Sequence, residues 1–427
     1  MTFGVRMPIQ RIIVENFKSF SELDIKLSSF QVVIGSNAAG KSNFIGIFKF
    51  LRDIANNGVV NAIAMQGGSE YLQNTKIGPA RDLRIKVFYH PDQKSEIFGR
   101  QGTDTSVLAV YSCESSYEFA IRFDPRGDGF TITTDRLITG FDVISCKREN
   151  KQIVKKHKIG NGEIRVTSDG GELTYAVDIP EGCSLTEGEI IPLYFRGKHL
   201  PEKTLLLETP YANPIAHIQK FFDRIAVYDI DPKLMKKGMA ITGKRDLDED
   251  AGNLAVVLKT IIGDPEKKRK FSNLLRDVLP FVENFSVEKF MDISLVLTLR
   301  ERYAKNHDLP SSSLSDGTMT IFALIVLLYF EDKPFIVIEE PVSHIHPFLV
   351  ARIISMMKES SKRKQIIVTT HSSEVVKHAS IEDLLLVSRD TQGFSIITCP
   401  ADKEEVRTFL ENEIGIEELY IQNLLGL

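Results

Sequence analysis

Residues 35–42 read Gly-Ser-Asn-Ala-Ala-Gly-Lys-Ser, a GxxxxGKS spacing that constrains this chain more tightly than anything else in it. Before it, 30–34 is nearly all apolar, as a strand covered on both faces is. After it, Phe44, Ile47, Phe48, Leu51 and Ile54 recur at helical spacing until Asn56-Asn57-Gly58. Strand, glycine loop and helix in this order make a phosphate cradle. A glycine ends the strand without a Cβ clash, the loop turns its N–H groups inward, and the helix aims its positive end at the anion. The expected nucleotide contacts are Gly35, Ser36, Asn37, Ala38, Ala39, Gly40, Lys41, Ser42 and Asn43. Lys41 would neutralise the β- and γ-phosphates of ATP, and the Ser42 hydroxyl would ligate Mg²⁺.

Three further signals gain weight from the first. Phe335-Ile336-Val337-Ile338-Glu339-Glu340-Pro341 is an apolar strand ending in two carboxylates. Glu339 would hold the Mg²⁺ water shell and Glu340 would polarise an attacking water as general base. Ser313-Leu314-Ser315-Asp316-Gly317-Thr318 opens an apolar helix from about Met319 to Phe330, and reads either as an ordinary N-cap or as an anion-binding N-terminus. Gln365-Ile366-Ile367-Val368-Thr369-Thr370-His371 is a β-branched strand ending in a histidine, placed where a γ-phosphate could be sensed.

Composition bounds the setting. Apolar residues make up 43% and charged residues 26%, with a formal charge of -4 that excludes a uniformly basic nucleic-acid coat. The longest apolar run, Ile321 to Phe330, falls well short of the ~20 residues that span a bilayer. No signal peptide is expected, because Glu15, Glu22 and Asp24 interrupt the first thirty residues. The four cysteines have no CxxC spacing, so the expected location is the reducing cytoplasm.

The organisation read along the chain has four parts. Residues 1–80 carry the glycine loop, 81–210 are a β-rich subdomain, 211–305 are read as a helical subdomain, and 306–427 hold the remaining motifs. Gly160-Asn161-Gly162 and Asp169-Gly170-Gly171 are expected to turn hairpins. No repeat or heptad tract is evident.

Taken in order, the four motifs resemble the ATPase heads of the SMC and RecF group, closest to its stand-alone RecF-like "AAA family ATPases". Ile13-Val14-Glu15-Asn16-Phe17-Lys18-Ser19-Phe20 is similar to that group's opening strand, and Leu314–Thr318 to its LSGGQ signature. Glu339-Glu340-Pro341 with His344-Ile345-His346-Pro347 resembles its Walker B and D-loop, and Thr369-Thr370-His371-Ser372 its switch loop. Gly252-Asn253-Leu254-Ala255 is similar to a GxNLA segment of the stand-alone proteins. The departures are Asp316 and Thr318 inside the signature and Val342 in place of a third acid; Gln66 is a Q-loop candidate or a surface glutamine.

The resemblance implies an α/β P-loop fold of ABC/SMC-head type, with an antiparallel β-subdomain and a helical subdomain between the first motif and the signature. It also implies ATP hydrolysis in a homodimer or higher homo-oligomer. Lys41, Ser42, Glu339, Glu340 and His371 would act in cis, and Ser315 and Gly317 in trans. With no coiled-coil tract, and only 372–427 following His371, output is expected from a separate effector, a nuclease or toxin, as in phage defence. The alternative is an ATPase acting directly on DNA in repair or recombination. The basic runs at 147–158 and 267–270 could then meet phosphates, or be solvated faces. No membrane partner is expected.

Overall fold

The computed structural model describes residues 9–90, 95–99, 106–125, 129–149, 152–210, 212, 215, 218–240, 244–290, 294–303, 307–411, 415–422 and 424. Strands β1 (Ile9–Phe17) and β2 (Phe20–Lys26) alternate inward and outward side chains and form a hairpin closed by Phe17↔Phe20. β3 (Phe30–Ile34) is buried throughout and leads into α1 (Lys41–Asn57) and α2 (Val59–Met65). Then come β4 (Leu83–Tyr89), β5 (Ser95–Gly99) and the long strands β6 (Ser106–Phe123), β7 (Phe130–Glu149) and β8 (Gln152–Asp169), followed by β9 (Glu172–Asp178). These six join β1 and β2 in one antiparallel sheet, ordered β2-β1-β4-β6-β7-β8-β9 with β5 on β6.

The chain continues through the short helices α3 (Glu187–Ile190) and α4 (Ile218–Phe222), then β10 (Ile225–Asp229), α5 (Pro232–Met235), β11 (Met239–Ala240), α6 (Leu254–Ile262) and α7 (Pro265–Val278). β12 (Val282–Phe290), β13 (Ser294–Glu301) and β14 (Asp308–Pro310) follow. The last third holds α8 (Asp316–Tyr329), β15 (Phe335–Glu339), α9 (Pro347–Ser360), β16 (Gln365–Thr370), α10 (Ser373–His378), β17 (Leu384–Arg389) and β18 (Ser395–Thr398).

The second sheet runs β10-β15-β16-β3-β17-β18, parallel except for β18. Successive residues of its strands enter opposite cores. Val33, Phe335, Val337 and Ile367 meet α1 and the antiparallel sheet. Val32, Ile34, Ile336, Ile338 and Val368 meet the helices on the other side. Burial on both faces is why these strands read as unbroken apolar runs. It also joins the two ends of the chain: β3 pairs with β16 and β17, so the glycine loop and the strand-end carboxylates leave the same edge of one sheet.

Two expectations need correction. Residues 211–305 are not chiefly helical. β10 is a strand of the parallel sheet, and β11–β14 build a third sheet ordered β11-β13-β12 with β14 on β13. In β10, four buried residues in succession give an apolar run too short for periodicity to distinguish strand from helix. The helix expected from Ile215 is only Ile218–Phe222 among the described residues. Gly160-Asn161-Gly162 does not turn either; it lies inside β8. A Cβ on Gly162 would come within 2.2 Å of the Phe141 ring, and one on Gly160 within 2.5 Å of Pro180, so these glycines admit neighbours rather than a bend. Gly170 and Gly171, with positive φ, do turn the β8–β9 hairpin. No helix among the described residues is long and apolar enough to cross a membrane.

Candidate functional site

The glycine loop leaves β3 at Gly35, where a Cβ would lie 2.3 Å from the Val387 carbonyl oxygen of β17. Ser36, Asn37 and Ala38 form an exposed crest, with Ala38 in the left-handed region at φ 61°. Gly40 then caps α1 without any side-chain hydrogen bond, and no acidic residue stands in the first turn. The N-terminal amides of a 17-residue helix are thus left for an anion, with no acidic side chain in the helix's own first turn. Lys41 donates from Nζ to the loop's own carbonyls, Gly35 (2.7 Å) and Ser36 (3.2 Å). Partial burial pulls its pKa down, while the nearby Glu340 carboxylate pushes it up. Ser42 is exposed beside it. The Asn43 side-chain amide donates to Ser19 Oγ (2.7 Å), tying α1 to the β1–β2 turn.

Glu340 stands one residue past β15 with φ 42°, a left-handed conformation that costs a non-glycine residue about 1–2 kcal/mol. The neighbouring strand holds it there. Its N–H donates to Thr369 O (2.9 Å), and its carboxylate accepts from Thr370 Oγ1 (3.2 Å) and the His371 N–H (3.4 Å). His371 Nδ1 lies 2.8 Å from Glu340 Oε1. A carboxylate accepts, so Nδ1 carries the proton in this contact and Nε2 is left free of it. The imidazole is 61% exposed.

Glu339 pairs with Lys49 of α1, Nζ to Oε1 3.1 Å. Lys49 adds its like charge to the burial that lowers the pKa of Lys18, whose Nζ donates to Gln66 Oε1 (2.8 Å). Gln66 is therefore bound to Lys18 rather than a free surface glutamine. A carboxylate already holding a cation, and a hydroxyl at the helix start, are hard oxygen donors of the type Mg²⁺ takes. Among the described residues no group of three or more His, Cys, Asp or Glu could hold a metal by itself.

The Ser315–Thr318 turn has different surroundings. Ser315 caps α8, accepting from the Thr318 N–H (3.1 Å), and Asp316 pairs with Lys236 (2.5 Å). A Cβ on Gly317 would lie 2.5 Å from His344 O, so this glycine lets the turn pack on the 341–346 loop. His346 accepts from the Phe348 N–H (3.3 Å) and caps α9. Val342 is buried in the core on the helical side of the sheet, where an acid would have no partner. No hydrogen bond joins Ser315 or Gly317 to the glycine loop among the described residues. The structure thus gathers Lys41, Glu339, Glu340 and His371 at one sheet edge and leaves Ser315 and Gly317 apart from them.

Two residues outside the motifs hold the crest. Arg389, at the end of β17, donates from Nε (3.2 Å) and Nη2 (2.9 Å) to Ala38 O and from Nη1 to Gly393 O (2.9 Å). Ser395 Oγ donates to Ala39 O (2.6 Å). A Cβ on Gly40 would fall 2.2 Å from that hydroxyl oxygen, so the β17–β18 hairpin grips the loop from outside. No local sequence signal marks either residue, since they stand more than 350 positions from their partners.

Residues 7–173 match the family described as "AAA ATPase domain". Residues 253–377 match the one described as "AAA domain, putative AbiEii toxin, Type IV TA system". No curated protein matches the sequence. Similar solved structures include an Smc head bound to the C-winged helix domain of ScpA (17% identity, 92% of this chain and 97% of that chain, TM-score 0.46). Others are the SMC head domain from Thermotoga maritima (18%, 92% and 99%, 0.40) and an Smc head with an extended coiled coil bound to the C-terminal domain of ScpA derived from Pyrococcus furiosus (16%, 95% and 99%, 0.43). The first matched segment contains the glycine loop and the second contains the signature turn, the paired carboxylates and the strand-end histidine. Two segments of the chain thus match ATPase-domain families, and between them they carry the glycine loop, the signature turn, the paired carboxylates and the strand-end histidine that the fold sets around one parallel sheet.

Proposed function

We propose that the protein hydrolyses ATP between two copies of itself and that closure of this dimer switches a separate effector. The observation that carries the reading is the Glu340–His371 pair, set beside Lys41 at the ends of adjacent strands. Lys41 releases the loop carbonyls and takes the β- and γ-phosphates, while the α1 amide N–H groups donate to the remaining phosphate oxygens. Glu340, fixed by Thr370 and His371, takes the proton of a water attacking the γ-phosphorus as the bond to ADP breaks. His371 would sense that phosphoryl group through Nε2 when that nitrogen also carries a proton and can donate to a phosphate oxygen. Ser42 and Glu339 would hold Mg²⁺, which supplies charge neutralisation on the phosphate oxygens.

Ser315 and Gly317 make no bond to their own P-loop, which suits delivery to a partner's nucleotide. Phe348, 84% exposed at the start of α9 and close in sequence to the loop under Gly317, suits a surface that a second copy covers. The matched family's AbiEii and toxin–antitoxin wording supports an effector in phage defence. The reading is tested by ATP turnover per chain as a function of protein concentration. It should rise with concentration and saturate as dimers form; turnover per chain independent of concentration down to nanomolar protein would contradict it.

Arg389 then acts as a positioning residue for the P-loop. Arg389→Ala should weaken a non-hydrolysable ATP analogue about fivefold by calorimetry, the equivalent of about 1 kcal/mol for an exposed clamp. The melting temperature should stay nearly constant.

A further inference from the structure

Two basic runs far apart in sequence meet in space. Lys267-Lys268-Arg269-Lys270 lies in the first turns of α7, and Lys362-Arg363-Lys364 in the turn between α9 and β16. Both converge on the aromatic end of α8. Lys270 Nζ lies 5.6 Å from the Tyr329 ring centre and 5.4 Å from that of Phe330, and the Arg363 guanidinium lies 5.7 Å from Tyr329. Cation–π contacts of this kind hold two long side chains in place before any ligand arrives. Lys267, three residues before Lys270, shares its flank of the helix. Lys364 anchors the turn from beneath, donating to Leu327 O (3.1 Å) and Glu331 O (2.7 Å).

The cations here have carboxylates in the neighbourhood but none in direct contact. Among the described residues, Lys267, Lys270, Lys362 and Arg363 form no ion pair, whereas exposed arginines elsewhere, such as Arg11, Arg122, Arg165 and Arg300, each do. The carboxylates nearby are engaged otherwise. Glu331 accepts from the Leu247 N–H (2.7 Å), Glu359 from Tyr329 Oη (3.3 Å), and Asp332 pairs with Arg224 (3.3 Å). Burial pulls the Lys364 pKa down to about 8; Glu331 and Asp332 act against that shift, and Arg363 and Lys270 act with it. The apolar rings of the patch are already covered by cations, so it offers no pocket for the anchor side chain a protein partner would insert.

The patch also faces away from the nucleotide site. Phe330 precedes β15 and Lys364 precedes β16, while Glu340 and His371 follow those strands. At ~3.3 Å per residue the two sites are about 15–20 Å apart, at opposite edges of the sheet.

We propose that this composite surface, with Lys267, Lys270, Lys362 and Arg363 as its contacts, binds the phosphate backbone of nucleic acid without sequence preference and without need of ATP. It goes beyond the proposed function by giving the head a ligand on the edge remote from the nucleotide.

The test is fluorescence anisotropy of a labelled 30-base-pair duplex of arbitrary sequence with the full chain, without nucleotide, across 50–200 mM salt. About four phosphate contacts predict a slope of log affinity on log salt of about -3 to -4. Lys270→Glu with Arg363→Glu should weaken binding at least about twentyfold and flatten the slope by about two. Lys267→Glu with Lys362→Glu, at exposed positions without packing roles, should do the same if the first pair unfolds. A control reversal on the β-rich side, Arg196→Glu with Lys203→Glu, should stay within about twofold. No wild-type binding at 50 mM salt, patch variants within twofold of wild type, or an equal loss in the control would each overturn the proposal. So would displacement of the duplex by poly-glutamate at equal charge concentration, which would assign the surface to an acidic protein. Because no nucleotide is present, failure of the ATPase reading would leave this result unaffected.

Discussion

Glu340→Gln is expected to lower ATP turnover by at least about 100-fold while ATP affinity stays within about threefold of wild type. A general base supplies roughly 10²–10⁴ in rate, and glutamine cannot accept the proton. The substitution is nearly isosteric. The amide oxygen can still accept from Thr370 Oγ1, and the Glu340 N–H that donates to Thr369 O is untouched, so the strained backbone at this position is retained. The bond to His371 Nδ1 is the one to suffer, because only one of the two side-chain atoms remains an acceptor. The P-loop follows β3, two strands from β15 in the sheet, and keeps its own contacts. Single-turnover hydrolysis and nucleotide calorimetry on the same preparation separate the two effects. Turnover within threefold of wild type would remove Glu340 from the role of base.

Lys41→Ala is expected to reduce affinity for ATP by about 100-fold or more, which at 1.4 kcal/mol per decade is about 3 kcal/mol. Its ammonium would make charge-assisted hydrogen bonds to phosphate, and among the described residues no other cation bonds the Gly35 and Ser36 carbonyls. The fold should not suffer. The side chain is only partly buried, and the carbonyls it leaves stand beside the exposed crest. Unchanged circular dichroism with lost binding is the expected combination; affinity within threefold of wild type would refute the P-loop assignment.

What was legible in the sequence was local and periodic. The P-loop could be read because eight consecutive residues specify a backbone shape, and Glu339-Glu340 because an apolar strand with both faces buried ends at a charge. The signature serine was legible as an N-cap, and the structure shows that cap. What stayed hidden depends on residues brought together across the chain. Nothing near Arg389 or Ser395 indicates that the β17–β18 hairpin clamps the loop at Ala38 and Ala39. Nothing near Lys49 announces a bond to Glu339, 290 residues away. Gly317 could be read as a signature position, whereas the His344 carbonyl beneath it, which also requires a glycine there, could not. The strands in 211–305 were missed because short buried runs such as Ile225–Asp229 have no length over which helix and strand periods diverge. Of the basic runs, the side chains at 147–148 and 151–156 lie outside the described residues, and Lys158 is paired with Asp142. The run at 267–270 became meaningful only when the fold set it against Arg363.

The central claim is that ATP joins two heads, and sedimentation velocity of the Glu340→Gln protein, with and without ATP and Mg²⁺, tests it most directly. A monomer without nucleotide that shifts to a dimer with ATP, and returns to monomer when Ser315→Arg is added to the same chain, is the predicted result. A single sedimenting species of unchanged size with and without saturating ATP would contradict it.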